Sequence, residues 1–201
     1  MRTTFVLAGL VAIAPDAAAQ DSRLPLSEGA TWTYTIRKTA HVGGMKVAKE
    51  GAATLTCKST EKVEGVAFWV LAWEETTGKD TDRCTIWLRE DGDRIVFART
   101  DSDHTPLLPV DFSKKEGRVK VRSGRDEIEV ASAVGDEEEI ETTAGTFKAV
   151  KVVSTSAAGG AKVTRTVWYA KGTGPVKVVK VSDTAGVTAD KEYVLKSFTK
   201  K

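Results

Sequence analysis

The sequence predicts an all-β fold: about twelve short antiparallel strands in a strongly curved sheet that forms a barrel or a sandwich, with little helix beyond the N-terminus. Three observations predict it. Apolar and polar residues alternate with period two in segment after segment, Gly-containing turns recur at short regular spacing, and no stretch carries a convincing amphipathic helical repeat. At 201 residues the chain reads as one domain, and its 41% apolar residues suffice for a core while 29% charged residues keep the exterior wet. A net charge of +2 without an Arg-rich run excludes an electrostatic footprint for nucleic acid.

The first residues form a leader. Arg2 supplies positive charge, residues 5–14 are apolar, Pro15 and Asp16 break that run, and Ala17-Ala18-Ala19 offer a small-residue cleavage site before Gln20. The expectation is a signal peptide over residues 1–19, cleaved after Ala19, and a single β-rich domain over residues 20–201 in a secreted or periplasmic protein. The apolar run is too short to span a bilayer, and no later one in the mature chain is long enough. Export makes a disulfide between the two cysteines, Cys57 and Cys84, the expected state, with about 3–4 kcal/mol of stabilisation from loop closure.

Residues 31–38 (TWTYTIRK) alternate cleanly, with Trp32, Tyr34 and Ile36 on one face and Thr and Arg on the other. Gly43-Gly44 marks a turn, and residues 47–59 follow with Ala53, Leu55 and Cys57 on one face. The run VAFWVLAW at residues 66–73 is apolar throughout and reads as the most buried strand, with residues 76–82 as a polar loop after it. Cys84, Ile86 and Leu88 alternate with Trp87. Asp91-Gly92 is a hairpin signal leading into a strand at residues 94–100.

The pattern weakens over residues 101–125, where Glu116-Gly117 and Ser123-Gly124 read as turns. Ile128 and Val130 alternate with acids in one strand, and a second acidic strand follows Gly135 over residues 136–143. Residues 141–181 are the most patterned stretch. An Ala144-Gly145 turn, a Gly159-Gly160 turn and a Gly172/Gly174/Pro175 turn separate the strands of a meander. A last strand at residues 191–199 presents Tyr193 and Leu195 on one face. In a plain meander the strands of Cys57 and Cys84 flank VAFWVLAW nearly 10 Å apart, beyond the roughly 7 Å limit for bridged Cα atoms. The disulfide therefore requires either a sheet that curls or splits, the favoured reading being a strongly curved sheet or closed barrel, or a pair at frayed strand ends.

Gly29-Ala30-Thr31-Trp32-Thr33-Tyr34 near the start, Ala144-Gly145-Thr146-Phe147, then Trp168-Tyr169-Ala170-Lys171-Gly172-Thr173-Gly174-Pro175-Val176-Lys177, and finally Tyr193-Val194-Leu195 form a series. It resembles the TapB-like and related domains of unknown function in exported bacterial β-rich proteins. The resemblance implies an exported, envelope-associated or secreted protein; its motif residues are turn glycines and core aromatics, and it implies no chemistry.

No catalytic residue is expected, since the sequence lacks H-E-x-x-H, G-x-S-x-G and any Cys-His signature. Asp101, Asp103 and His104 read as a polar loop rather than a metal or acid–base cluster. Glu90-Asp91-Gly92-Asp93 lacks the ligand spacing of a calcium loop. The acids from Asp136 to Glu139 read as a solvated or edge strand. No metal and no cofactor is expected. Two groups keep a functional reading. Lys148, Lys151 and Lys177, with Lys162, Lys171 and Lys180, are candidates for a lysine-rich face that meets an anionic ligand or envelope surface. Trp69, Trp73 and Trp87 are core aromatics that line an apolar pocket if the sheet closes into a barrel. The expected function is therefore an exported non-enzymatic binding or structural module of the bacterial cell envelope. The alternative is a carrier of an apolar or lipid-like ligand in a half-open barrel. The partner is an envelope component or a small apolar or anionic molecule.

Overall fold

A computed structural model describes residues 22–42, 45–101, 107–123, 126–158, 161–184 and 187–200. The leader expected at residues 1–19, the turns expected at Gly43-Gly44 and Gly159-Gly160, and Gly124, Asp103 and His104 lie outside the described residues. Twelve strands follow in chain order: β1 (Thr31–Val42), β2 (Met45–Val63), β3 (Val66–Thr77), β4 (Asp80–Asp91), β5 (Arg94–Thr100), β6 (Val110–Asp111), β7 (Glu116–Ser123), β8 (Asp126–Thr142), β9 (Gly145–Ala158), β10 (Ala161–Ala170), β11 (Gly174–Thr184) and β12 (Val187–Thr199). The all-β expectation holds, and several strands are longer than alternation alone shows.

The sheet runs β4-β3-β2-β1-β12-β11-β10-β9-β8-β7-β5, and β4 pairs with β5 to bring its ends together. The result is a nearly closed antiparallel barrel. Its seam is the weak point: β5 and β7 share a single parallel bridge, Thr100 with Ser123, and the two-residue β6 lies along β5. Long right-twisted strands that would otherwise leave two open edges bury them by meeting each other. Pairing of β1 with β12 joins the N- and C-terminal meanders over eleven register positions from Thr31–Thr199 to His41–Thr188.

Inward residues follow the alternation. Trp32, Tyr34 and Ile36 of β1, Ala53, Leu55 and Cys57 of β2, Ile86 and Leu88 of β4, Val176 and Val178 of β11 and Tyr193 and Leu195 of β12 meet in one core. Each fully buried large side chain there contributes about 1.5–3 kcal/mol. One end of the barrel is plugged by the segment preceding β1. Leu24 is fully buried against this core, and Gly174, at φ 93°, accommodates it: a Cβ at that position sits 3.3 Å from Leu24 Cδ1 and 3.1 Å from Trp32 Nε1. Trp32 in turn donates to the Thr173 carbonyl at 2.5 Å, and Tyr34 donates its hydroxyl to the Pro175 carbonyl at 2.9 Å. The turn glycines of the C-terminal meander thus seat against the first strand.

Four sequence expectations change. VAFWVLAW is not buried throughout: Leu71 and Trp73 point into the barrel, Val70 and Ala72 between them are only half-buried, and Val66 and Ala67 at the strand's start are exposed, although Phe68 on the outer parity is covered. The polar loop expected at residues 76–82 is the continuation of the β3–β4 hairpin, with only Gly78 and Lys79 outside the strands. Glu116-Gly117 opens β7 instead of turning. Gly135 does not separate two strands; β8 runs through it, and the register against β9 shifts between Val134 and Glu137 as a bulge. Gly51 is the position where backbone approach demands a glycine, since a Cβ there would lie 2.1 Å from the Thr76 carbonyl oxygen.

The disulfide is the main correction. Cys57 on β2 faces Leu71 of β3, and Cys84 on β4 faces Trp73 of β3, so β3 stands between them. Both are free and buried. Curvature closes the barrel without removing the intervening strand, and a separation of two strand spacings exceeds what a disulfide bridges. Burial pushes the Cys57 thiol up to about 11 and the Cys84 thiol up to about 12, with the Asp101 carboxylate adding to the latter.

Candidate functional site

Three places in the barrel concentrate functional chemistry, and the candidate tryptophans are divided among them. Trp73 is inside, 2% exposed, 5.7 Å by ring centroids from Tyr34 and 5.4 Å edge-on from Tyr193. Trp87 alternates with the inward Ile86 and Leu88 and so stands on the outer surface. There its indole donates to Glu61 at 2.7 Å and the Arg99 guanidinium covers its ring at 4.2 Å. Trp69 lies half-buried at the rim, packed against the core from the edge. The shared apolar pocket expected from Trp69, Trp73 and Trp87 is therefore not formed, because strand alternation sends Trp87 to the opposite face.

The lysines are likewise divided. Lys151 and Lys177 flank Trp168 on the outer surface, each ammonium 5.5 Å from the ring, while the Trp168 indole donates to Glu138. Lys177 also pairs with Glu192 at 2.7 Å. Lys148, exposed, stands opposite Glu139 in the β8–β9 register. Such pairs on a wet face contribute about 0–1 kcal/mol each. Lys180 has the opposite orientation, on the inward side of β11 with Val176 and Val178, close enough to influence the Cys84 thiol.

Sequence reasoning missed the buried carboxylate inside the barrel. Glu75 continues the inward series Leu71, Trp73 on β3 and is 3% exposed. It reaches across the concave face to β12, accepting from Lys191 Nζ at 2.5 Å and from the Tyr193 hydroxyl at 2.8 Å. Parity within EETT, had the strand been extended past Trp73, would have revealed it. Burial, together with the Glu75 charge and hydrogen bond, pushes the Tyr193 phenol well above its ordinary range. Register also stacks basic residues side by side: Arg165, Lys180, Lys191, Lys38 and Lys49 occupy directly paired positions across β10, β11, β12, β1 and β2. Glu75 and its register partner Asp82 face them from β3 and β4. This inner charge arrangement holds the barrel wall rather than a cavity of its own, since Glu75 already ties its two sides together.

The third place is an open cleft of about 500 Å³ at the plugged end. Its apolar wall is Phe68 and Trp69 of β3 with Pro25 and Leu26 of the plug. Its cations are Arg89, near the end of β4, and Lys200, beyond the end of β12. Glu90 anchors one rim: its carboxylate accepts from Ser22 Oγ at 2.5 Å and from the Arg23 amide at 2.6 Å, which fixes the plug to β4. Arg89 lies with its guanidinium carbon 5.8 Å from the Phe68 ring centroid, and its Nη2 is 3.2 Å from Asp91. Its Nε is buried with no protein acceptor. That N–H is shut off from solvent, so the part of the side chain that borders the cleft is its 36%-exposed remainder. The cleft volume falls in the range of roughly 300–1,000 Å³ found for small-molecule sites. Trp69 is the one residue of the expected tryptophan group that borders it.

Among the described residues no group of three or more His, Cys, Asp and Glu is placed to hold a metal ion, and no helix is long and apolar enough to cross a membrane. No family model matches the sequence, and no curated protein matches it, so the TapB-like resemblance has no support beyond its motif residues. Two solved structures are similar in fold. A candidate lipoprotein from Parabacteroides distasonis superposes with a TM-score of 0.45 at 13% identity, over 88% of this chain and 98% of its own. A candidate exported protein with a YmcC-like fold from Bacteroides fragilis superposes with a TM-score of 0.44 at 15% identity, over 88% of this chain and 98% of its own.

Proposed function

We propose that this chain is an exported, non-enzymatic binding module of the bacterial cell envelope, and that its ligand occupies the cleft between the plug and β3. The observation that carries the reading is the cleft itself. It joins an aromatic and aliphatic wall to the part-exposed guanidinium of Arg89 and the ammonium of Lys200. Export is supported by the composition of residues 1–19, a positive start, an apolar run and an Ala-rich cleavage site. The absence of a nucleophile–base or H-E-x-x-H pattern in the sequence supports a role in binding rather than turnover.

One experiment tests both halves. The protein is purified without detergent from the envelope fraction of an expressing bacterium and weighed by native mass spectrometry, alongside a Trp69→Ala variant. The expected mass begins at Gln20 and carries a bound small molecule that the variant loses. A protein that keeps residues 1–19 in the cytoplasmic fraction refutes export. A ligand retained in full by Trp69→Ala, or no ligand in either protein, refutes the cleft.

A further inference from the structure

We propose that the cleft takes an anionic amphiphile, its head group on Arg89 and Lys200 and its hydrocarbon along Phe68, Trp69, Pro25 and Leu26. The proposal rests on the cleft reading above and specifies its ligand. A purely apolar ligand would lay hydrocarbon against the charges of Arg89 and Lys200, and a purely ionic one would leave the aromatic wall facing water. Phe68 and Trp69 stand near the start of β3 on opposite faces, so both border the cleft only because it lies at the barrel's rim, where Pro25 and Leu26 of the plug add aliphatic surface.

The charges around the cleft favour an anion. Arg89 and Lys200 stand against Glu90, whose two oxygens are already occupied by Ser22 Oγ and the Arg23 amide. Asp91, the other nearby carboxylate, is shared between Arg89 at 3.2 Å and Arg94 at 2.7 Å, so it does not neutralise both. The guanidinium stands over the Phe68 ring with its Nη2 on Asp91, and a planar cation of this kind pairs with a carboxylate or a phosphate. Two kinds of molecule share this chemistry, a free fatty acid and the anionic head group of a single-chain lipid.

The test is isothermal titration of the mature protein with four probes below their micellar concentrations: dodecanoate, a lysophosphatidylglycerol, dodecyl maltoside and dodecyltrimethylammonium. The expected result is binding of one or both anionic probes at least about tenfold tighter than of the neutral and cationic ones, the gain of a charge-assisted hydrogen bond. Preference for dodecanoate identifies a free fatty acid, and preference for the lysolipid identifies a lipid head group. Arg89→Gln should remove that preference while leaving dodecyl maltoside unchanged. Lys200→Gln, at an exposed position just beyond β12, should weaken the anions alone and keeps the test valid if Arg89→Gln fails to fold. Equal binding of all four, lost in Trp69→Ala and unmoved by either charge variant, overturns the anionic ligand and leaves the cleft standing. Binding of none of them, with no change in Trp69→Ala, overturns the ligand class; a co-purified molecule of another kind in the native mass spectrum would then keep the cleft.

Discussion

Glu75 provides the sharpest test of how the barrel is held. Its carboxylate is 4% exposed and touches the Lys191 ammonium, itself 18% exposed, at 2.5 Å, with the Tyr193 hydroxyl at 2.8 Å. Glu75→Gln preserves shape and leaves Tyr193 an oxygen to donate to, but strands the Lys191 charge. Removing one partner of a shielded ion pair costs about 3–5 kcal/mol. The residual exposure of Lys191 lets water reach its ammonium, which places the expected loss near the lower end, about 3 kcal/mol. The double variant Glu75→Leu, Lys191→Met removes both charges and should recover at least about half of that, limited by the Tyr193 hydroxyl left without its acceptor. Urea unfolding followed by tryptophan fluorescence measures the wild type and both variants, and the difference between the variants reads the cost of the stranded ammonium. A Glu75→Gln loss below about 1 kcal/mol, the range of exposed pairs, would show that the concave face is wet and that the β3–β12 contact does not brace the barrel.

Two further outcomes follow from the buried titratable groups. Cys57 and Cys84, held neutral by burial, should not react with Ellman's reagent in the native protein, yet yield two thiols per chain on denaturation without reductant. Zero thiols after denaturation would restore the disulfide. Tyr34, Tyr169 and Tyr193 have phenols raised by burial, Tyr34 further by Tyr169 and Tyr193 further by Glu75. Their folded values exceed the unfolded value near 10, so their contribution is intact below about pH 10 and is lost as pH rises from there toward the folded values. With all three protonated only in the folded state, stability should fall by up to about 4 kcal/mol per pH unit, and phenolate absorbance should appear in one cooperative step with unfolding. Gradual phenolate formation near pH 10 in a protein that keeps its fold would contradict the burial of these rings.

Much of this molecule follows from local pattern. TWTYTIRK, CTIWLRE and RIVFART each show their inward set by parity, because a strand alternates faces whatever it pairs with. Asp91-Gly92 and Ala144-Gly145 turn the chain where their backbone freedom allows it, with φ of 59° at Gly92 and 131° at Gly145. That is why the strand number, the hairpins and the core aromatics Trp32, Tyr34 and Tyr193 were legible. The errors have a common source. Gly135 reads as a break until β9 is present to pair on both sides of it, and residues 76–82 read as a loop because this end of the β3–β4 hairpin is mostly exposed and carries no apolar alternation.

The candidate site was legible only through Trp69. Its other parts, Leu26, Phe68, Arg89 and Lys200, come from four separate segments and meet because β3 pairs with β4, the plug folds back onto Glu90, and the last strand ends beside them. The sequence by itself determined an all-β chain with known inward faces, since alternation is a property of each strand alone. Tertiary structure decided the rest: the ring closure, the separation of Cys57 from Cys84, the Glu75 contact across the concave face, and the cleft. Those depend on which strands become neighbours and in what register, and register is set jointly by distant segments whose packing no single stretch encodes.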